Sequence, residues 1–430
     1  MMKKVGIISL GCAKNLVDSE NILGLLDHDK YQITSDIEEA DIVFINTCGF
    51  IEASKKESIE TIFDTLSSNK KVVVTGCLVE RYHEQLKKEI PEVDLFIPIS
   101  QYYRFNELLE GIDPSSPKEK IGLSDKYRVL STGPVSAYLK IGEGCDNRCS
   151  YCAIPLIRGG FISRPYTDII EEANKLAGQG IKEIVVLQQD TTKYGIDLDN
   201  GENIVSLLKG LLEIKQFDYI RLLYLYPDEI TDELIELIAS EPRLTPYFDI
   251  PIQHSEDRIL LSMNRRGDKT SLKVLFKKIR NRIPGAILRT TVMVGFPGET
   301  HADFEALKTF IQEIEFDHLG AFTYSREEDT ASFSFPNQVS EATKKKRLDE
   351  IMKIQQSISY RKNKTHLGEV MEGLIVGKEK DTYLFRSYWN APDDVDGKIF
   401  VKSNKLLKLG DKIKVRITDA FIYDLMGESL

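Results

Sequence analysis

Six cysteines occur in 430 residues, and they fall into two triplets. Cys145, Cys149 and Cys152 have the spacing C-x3-C-x2-C on a short loop just after the apolar stretch that ends at Ile141. Three thiolates in so short a loop can hold three irons of a cubane cluster, and the fourth iron is then open to a ligand that is not protein. A closed zinc site would want a fourth Cys or His close by, and the next His along the chain is the distant His254. A disulfide framework does not suit so long a chain with so few cysteines.

The other triplet is dispersed. Cys12 follows the apolar run from Lys4 to Gly11, Cys48 follows Asp41 to Thr47, and Cys77 follows Val72 to Gly76. Short β-branched runs, with helix-like segments between them, read as a βα repeat. The carboxyl ends of parallel strands share one sheet edge, so cysteines far apart in sequence can converge there on a second cluster. Three unrelated buried thiols are the alternative, since free Cys often serves as a small core residue.

The elements that must position these groups form three blocks: an N-terminal α/β domain over residues 1–130, a core over 131–363 and a small domain over 364–430. The first ends in the polar, Pro-containing stretch Asp113 to Lys120. In the core, candidate strands cover 137–142, 183–189, 219–226, 247–253, 287–295 and 318–325, with helical stretches such as 168–177 and 303–315. Six βα units are too few for the eight-stranded barrel, so an open, partial barrel of six parallel strands is expected. A charged helix over 340–363 leads to short apolar runs broken by Gly and Asp, which read as a small antiparallel β-barrel that either binds a polymer or merely caps the core.

The stretch Glu143 to Cys152, with Tyr151 just before its last Cys, resembles the signature of the radical S-adenosylmethionine (SAM) enzymes. In that family the open iron is chelated by SAM, which is reductively cleaved to a 5′-deoxyadenosyl radical. Together with the first triplet and the tail, the whole chain resembles the methylthiotransferases, whose tail is called the TRAM domain. The resemblance implies two [4Fe-4S] clusters, one on Cys145, Cys149 and Cys152 that cleaves SAM and one on Cys12, Cys48 and Cys77 that handles sulfur. It also implies an external electron donor. Hydrogen abstraction from an unactivated C–H asks for a radical that no side chain supplies.

One branch of the family modifies a tRNA adenosine, and another the β-carbon of an aspartate in the twelfth small-subunit ribosomal protein. Three stretches resemble the protein-modifying branch: Ser9 to Glu20 (with Ala13 where that branch usually has Pro), Pro155 to Pro165, and Arg386 to Gly397. From His366 onward the tail carries 11 acidic and 10 basic residues. An RNA-binding barrel is usually basic. Asp393, Asp394 and Asp396 would suit a basic polypeptide substrate, or form a solvated turn. Phe385, Tyr388 and Trp389 could still stack on bases. A non-catalytic iron-sulfur protein that binds ribosomes is a third reading.

For SAM itself, Gln189 or Asp190 at the end of the second core strand, Tyr151, and the turn Gly295 to Thr300 are candidates by resemblance and spacing. Arg158 and Arg164 either hold an anion or make structural ion pairs, and His254 reads as a satisfied barrel-edge residue. The net charge of -10 gives no overall basic field of the kind that dominates nucleic-acid affinity. No run approaches the ~18 apolar residues of a membrane span, and the apolar stretch after Lys4 is too short for a secretion signal, so a cytoplasmic location without membrane partners is expected.

Overall fold

A computed structural model of the protein describes residues 2–68, 70–109, 128–392 and 396–430. The chain divides into two compact units, Met1–Ser131 with Glu143–Asp146 and Cys152–Phe161, and Thr132–Gly142 with Asn147–Tyr151 and Ile162–Leu430.

The first unit is built on a five-stranded parallel sheet in the order β2-β1-β3-β4-β5. Its strands are β1 (Lys3–Ser9), β2 (Tyr31–Ile33), β3 (Ile42–Thr47), β4 (Lys71–Gly76) and β5 (Leu95–Ile97). The central strand β3 is buried along its whole length, which is why it reads as an unbroken apolar run instead of an alternation. Successive side chains still point to opposite faces. Ile42 and Phe44 pack with Ile22 and Leu23 of α1 (Ala13–Leu25) and with Phe105 of α4 (Phe105–Leu109). Val43 and Ile45 pack with Ile62 of α2 (Glu52–Leu66) and Leu78 of α3 (Cys77–Glu89). The short helix α5 (Ile154–Arg158) sets Ile157 beside Cys77.

In the second unit, β6 (Ser136–Lys140), β9 (Glu183–Leu187) and β10 (Tyr219–Leu222) form one parallel sheet. Strands β11 (Tyr247–Asp249), β12 (Ile287–Val294) and β13 (His318–Thr323) form another. A parallel bridge between Ile220 and Leu244 and the bond from Leu225 N–H to Asp249 O join the two. The result is six parallel strands in one curved series, each beginning within a few residues of its sequence-expected start. A two-residue ladder, β7 (Gly142–Glu143) with β8 (Ile162–Ser163), flanks β6. The crossover helices are α6 (Tyr166–Gly178), α7 (Ile204–Glu213), α8 (Asp232–Ser240), α9 (Asp257–Ser262), α10 (Lys269–Arg282) and α11 (His301–Ile314). Asn203, Thr231, Asp268 and Thr300 cap α7, α8, α10 and α11, each accepting from a backbone N–H of the first turn.

Helix α12 (Glu341–Thr365), capped by Ser340, leads to a closed barrel in the order β14-β15-β16-β18-β17. Its strands are β14 (Val370–Glu379), β15 (Thr382–Arg386), β16 (Ile399–Lys402), β17 (Lys412–Ala420) and β18 (Leu425–Ser429). The small antiparallel barrel expected from the sequence is present, with one parallel pair, β16 and β18, among its antiparallel ones. A ring of five strands cannot alternate direction all the way round, so closing it forces one parallel pair. Among the described residues no helix is long and apolar enough to cross a membrane.

Candidate iron-sulfur site

Strands β1, β3 and β4 are neighbours, and each leads to one cysteine of the first triplet. Cys12 stands at the N-cap of α1, Cys48 follows β3 directly, and Cys77 is the first residue of α3. All three therefore sit at strand-to-helix junctions on one sheet edge. Cys12 lies three residues beyond its strand, not at its end. Gly11 has φ +89°, and a Cβ there would come within 3.0 Å of Cys48 Sγ, so the chain runs hard against that sulfur. Cys48 and Cys77 are buried and Cys12 is exposed. Burial pushes the Cys77 thiol up to about 11. In iron-free protein it is thus a thiol, and metal binding has to displace a proton.

Helix α1 turns a polar stripe toward this edge. Asn15 Nδ2 donates to Leu10 O and Thr47 O, and Asn46 Nδ2 donates to Asn15 O and to Ser19 Oγ. Arg158, at the end of α5, donates through Nη2 to Asn15 Oδ1 at 2.5 Å and to Cys77 Sγ at 3.4 Å. Its Nη1 reaches Asp18 at 2.5 Å and Glu143 at 3.1 Å. Of the two readings of Arg158, the ion-paired one is observed.

In the loop of the second triplet, Gly144 has φ +73°, and a Cβ there would fall 1.9 Å from Gly160 O. Cys145 N–H donates to Gly159 O at 3.2 Å. On the side of the second unit, Asn147 Nδ2 donates to Asp190 Oδ2 at 2.7 Å, and Ser150 N–H donates to Met263 O at 2.9 Å. Arg265 Nη1 donates to Tyr151 Oη at 3.4 Å and to Cys149 Sγ at 3.8 Å. Among the described residues no three Cys, His, Asp or Glu gather as ligands of a single ion. A cubane does not ask for that, since each thiolate takes its own iron. Two triplets of soft sulfur donors, each with one glycine pressed against its loop or its sulfur, fit such clusters.

The SAM candidates occupy the carboxyl ends of the barrel strands. Tyr151 meets Phe296 edge-on, with ring centroids 6.5 Å apart, so the aromatic of the cysteine loop and the Gly295 turn are brought together. Gly295 itself is tightly committed. Its N–H donates to Glu299 Oε2 at 2.6 Å, and a Cβ would lie 2.3 Å from the Lys344 side chain. Asp190 is buried and accepts from Thr192 Oγ1 as well as Asn147, which ties the cysteine loop to the end of β9. Gln189 follows the same strand, and its neighbour Gln188 is fully buried. Arg164 donates to Glu172 Oε2 and to Lys140 O, both at 2.6 Å, which is a structural pairing. His254 is fully buried, with Nδ1 accepting from Glu256 N–H.

The opposite end of the barrel, where the strands begin, is occupied by the tail. Arg386 donates to Ser136 Oγ and Glu183 Oε2, and Arg221 donates to Glu183 Oε1 and Ser387 O. His318 Nε2 bonds Trp389 O at 2.8 Å, and the Trp389 side chain is buried. Asp396 was expected on an acidic rim facing a basic substrate, and here the structure corrects the sequence. Its carboxylate accepts from Tyr247 Oη at 2.6 Å and Ala391 N–H at 2.9 Å, and lies 3.4 Å from Arg289 Nε. Burial pushes that carboxyl up, but His318, Arg289 and the two hydrogen bonds outweigh it and hold it below the usual range. A carboxylate so engaged and 1 % exposed is not available to a substrate. Asp393 and Asp394 lie outside the described residues.

Arg158, Arg265 and the Asn147–Asp190 tie carry no spacing signal, because each joins loops distant in sequence. The polar stripe of α1 does carry one: Asn15, Asp18 and Ser19 recur at helical spacing on a face that would otherwise be apolar.

Residues 4–98 match the Uncharacterized protein family UPF0004, 139–311 the Radical SAM superfamily, and 367–430 the TRAM domain. The chain is 46% identical to the ribosomal protein uS12 methylthiotransferase RimO of Thermoanaerobacter sp. (strain X514), covering 99% of this chain and 100% of that protein. It is likewise 46% identical to the RimO of Aquifex aeolicus (strain VF5), over 99% and 96%. Among solved structures it resembles the radical SAM methyltransferase TsrM from Kitasatospora setae in fold, with a TM-score of 0.55 at 14% identity over 89% of this chain and 81% of that one. SAM and one [4Fe-4S] cluster come with membership of the superfamily. The chain belongs to the RimO family of methylthiotransferases, within the radical SAM superfamily.

Proposed function

We propose that this enzyme methylthiolates the β-carbon of an aspartate in ribosomal protein uS12 in the cytoplasm, using two [4Fe-4S] clusters and an external one-electron donor. The observation that carries the substrate is end-to-end likeness, at 46% identity, to relatives named for uS12. The second cluster is supported by Cys12, Cys48 and Cys77 standing at the carboxyl ends of three adjacent strands. When bound, SAM and the reduced cluster of the cysteine loop supply a carbon radical able to take a hydrogen atom from an unactivated C–H.

The residues of this chain hold and orient. Asp190 and Asn147 fix one limb of the cysteine loop, and Ser150 fixes its centre against α9 and the residue after it. Tyr151 stands beside the Gly295 turn, and we propose these as the walls against which SAM packs, with Gln189 and Asp190 at the strand end beside them. Arg164 braces the β6–α6 connection and acts only through it.

Mass spectrometry of uS12 and of digested tRNA from a strain lacking the protein tests the reading. The methylthio mass should vanish from uS12, remain in tRNA, and return on complementation. Loss of the methylthio mass from tRNA, with methylthiolated uS12 unaffected, would establish the tRNA branch instead.

A further inference from the structure

Asn15 stands in the first turn of α1, wholly buried, three residues beyond Cys12. Asn is a poor residue for a helix interior and costly to bury without partners, yet here every hydrogen-bonding site of its amide is taken. Nδ2 donates to Leu10 O and to Thr47 O, both at 2.9 Å. Oδ1 accepts from Arg158 Nη2 at 2.5 Å and from the Cys77 thiol at 3.4 Å. An amide has two donor hydrogens and two acceptor lone pairs, so this one is saturated, and turning it over would set its oxygen against two carbonyls. One side chain thus ties together the turn that leads to Cys12, the residue before Cys48, and Cys77 itself.

The backbone at the three cysteines is drawn together as well. Each cysteine has a glycine beside it in sequence, and each glycine lies against the segment of another cysteine. A Cβ on Gly11 would come within 2.9 Å of Cys48 Cβ, one on Gly49 within 2.9 Å of the Cys77 carbonyl carbon, and one on Gly76 within 2.5 Å of Thr47 O. None of these approaches leaves room for a side chain. Ser58 of α2, also wholly buried, grips Cys48 from both sides, accepting from its N–H and donating to its C=O at 3.0 Å each. Ordering three separate loops around a cluster would cost conformational entropy at the moment of loading, and a pocket set in the iron-free chain has met that cost on folding. We propose that Asn15 is the positioning residue of the first triplet, holding Cys12, Cys48 and Cys77 ready for a cluster before iron arrives. It acts through the two turns and the sulfur that it grips, and the inference rests on the two-cluster reading above.

The test uses full-length protein with Cys145, Cys149 and Cys152 replaced by Ala, so that only the first triplet is left to take iron, loaded anaerobically with iron(II) and sulfide. This parent should hold about four irons per chain. Asn15→Leu removes the hydrogen bonds without adding charge, and Asn15→Asp keeps the shape but loses the donors that face Leu10 O and Thr47 O. Each variant should give up its iron to a chelator about 10–100-fold more readily than the parent, the usual effect of losing a group that orients metal ligands. Electron paramagnetic resonance of the reduced cluster should show altered g values in both, which a packing fault elsewhere in the fold would not produce. Normal iron retention in either variant overturns the inference. Amide hydrogen exchange on the parent decides the matter where a variant fails to fold. The N–H groups of Leu10, Leu16 and Cys48, bonded to Asn46 O, Cys12 O and Ser58 Oγ, should exchange within about tenfold of the same rate with iron and without it. Protection that appears only on loading overturns the inference, since the cluster would then be making its own pocket. A parent that takes up no iron would sink the two-cluster reading, a result distinct from equal retention in parent and variants.

Discussion

His254 shows what burial does to a single group. It is wholly enclosed, its Nδ1 accepts from Glu256 N–H, and its Nε2 stands 3.9 Å from Glu299 Oε2. Burial pushes its pKa down to about 3. The unfolded chain takes up this proton near the ordinary value of 6.5, but the folded chain does not until about 3. Between those values the unfolded form binds more protons, so stability falls as pH falls, at up to about 1.4 kcal/mol per pH unit; above the upper value the contribution is nil. His254→Gln should therefore flatten the decline of Tm between roughly pH 6.5 and pH 5, and nuclear magnetic resonance of the parent should show no titration of His254 there. An unchanged slope would mean that His254 is hydrated in the folded state. At the residue scale the sequence is informative where chemistry is local, as in the spacing C-x3-C-x2-C, and silent where a side chain is set by a distant partner. Arg164 could be an anion ligand until Glu172 is seen beside it.

At the scale of elements, the six core strands were legible because parallel strands buried on both faces read as apolar runs, and β9 is buried at every position. Five helix-bearing crossovers then leave few arrangements open. The direction of β18 was not legible, since no residue pattern separates a parallel from an antiparallel partner in a short strand. Nor was the fate of Arg386 to Gly397: a loop with several Asp residues reads as solvated until the far side of its contacts is known. The tail residues held at the strand-start end of the barrel make a stability prediction in place of a binding one. Trp389→Ala should cost about 3–5 kcal/mol, as for other buried aromatics, and calorimetry should show the loss in the transition of the second unit. Asp396→Asn removes the charge that faces Arg289 and one of two acceptor oxygens, the other serving Tyr247 and Ala391, so it too should lower Tm. A salt-sensitive loss of uS12 affinity with Tm unchanged would restore Asp396 to the substrate.

At the scale of the whole molecule, the two triplets hang on different strands, the first after β1, β3 and β4 and the second in the one loop that follows β7. Radical generation and sulfur handling should then be separable. With Cys12, Cys48 and Cys77 replaced by Ala, purified protein should still release 5′-deoxyadenosine but give no methylthio mass on uS12. Full product from that variant would remove the first triplet from the reaction.

The tail loop also sets an order in time. Arg221 and Tyr247 lie within the barrel strands, yet part of what buries them, Ser387 and Asp396, is translated some 150 residues later. While those later residues are still being made, the barrel has one mouth unsealed, with a buried-type arginine and its glutamate partner open to water. Assembly of the iron site on the emerging chain would take place on an unfinished scaffold. Cluster loading before the last strands arrive should be inefficient, and a ribosome stalled ahead of residue 386 should hold a nascent chain that binds little iron and is readily cut by protease within the barrel.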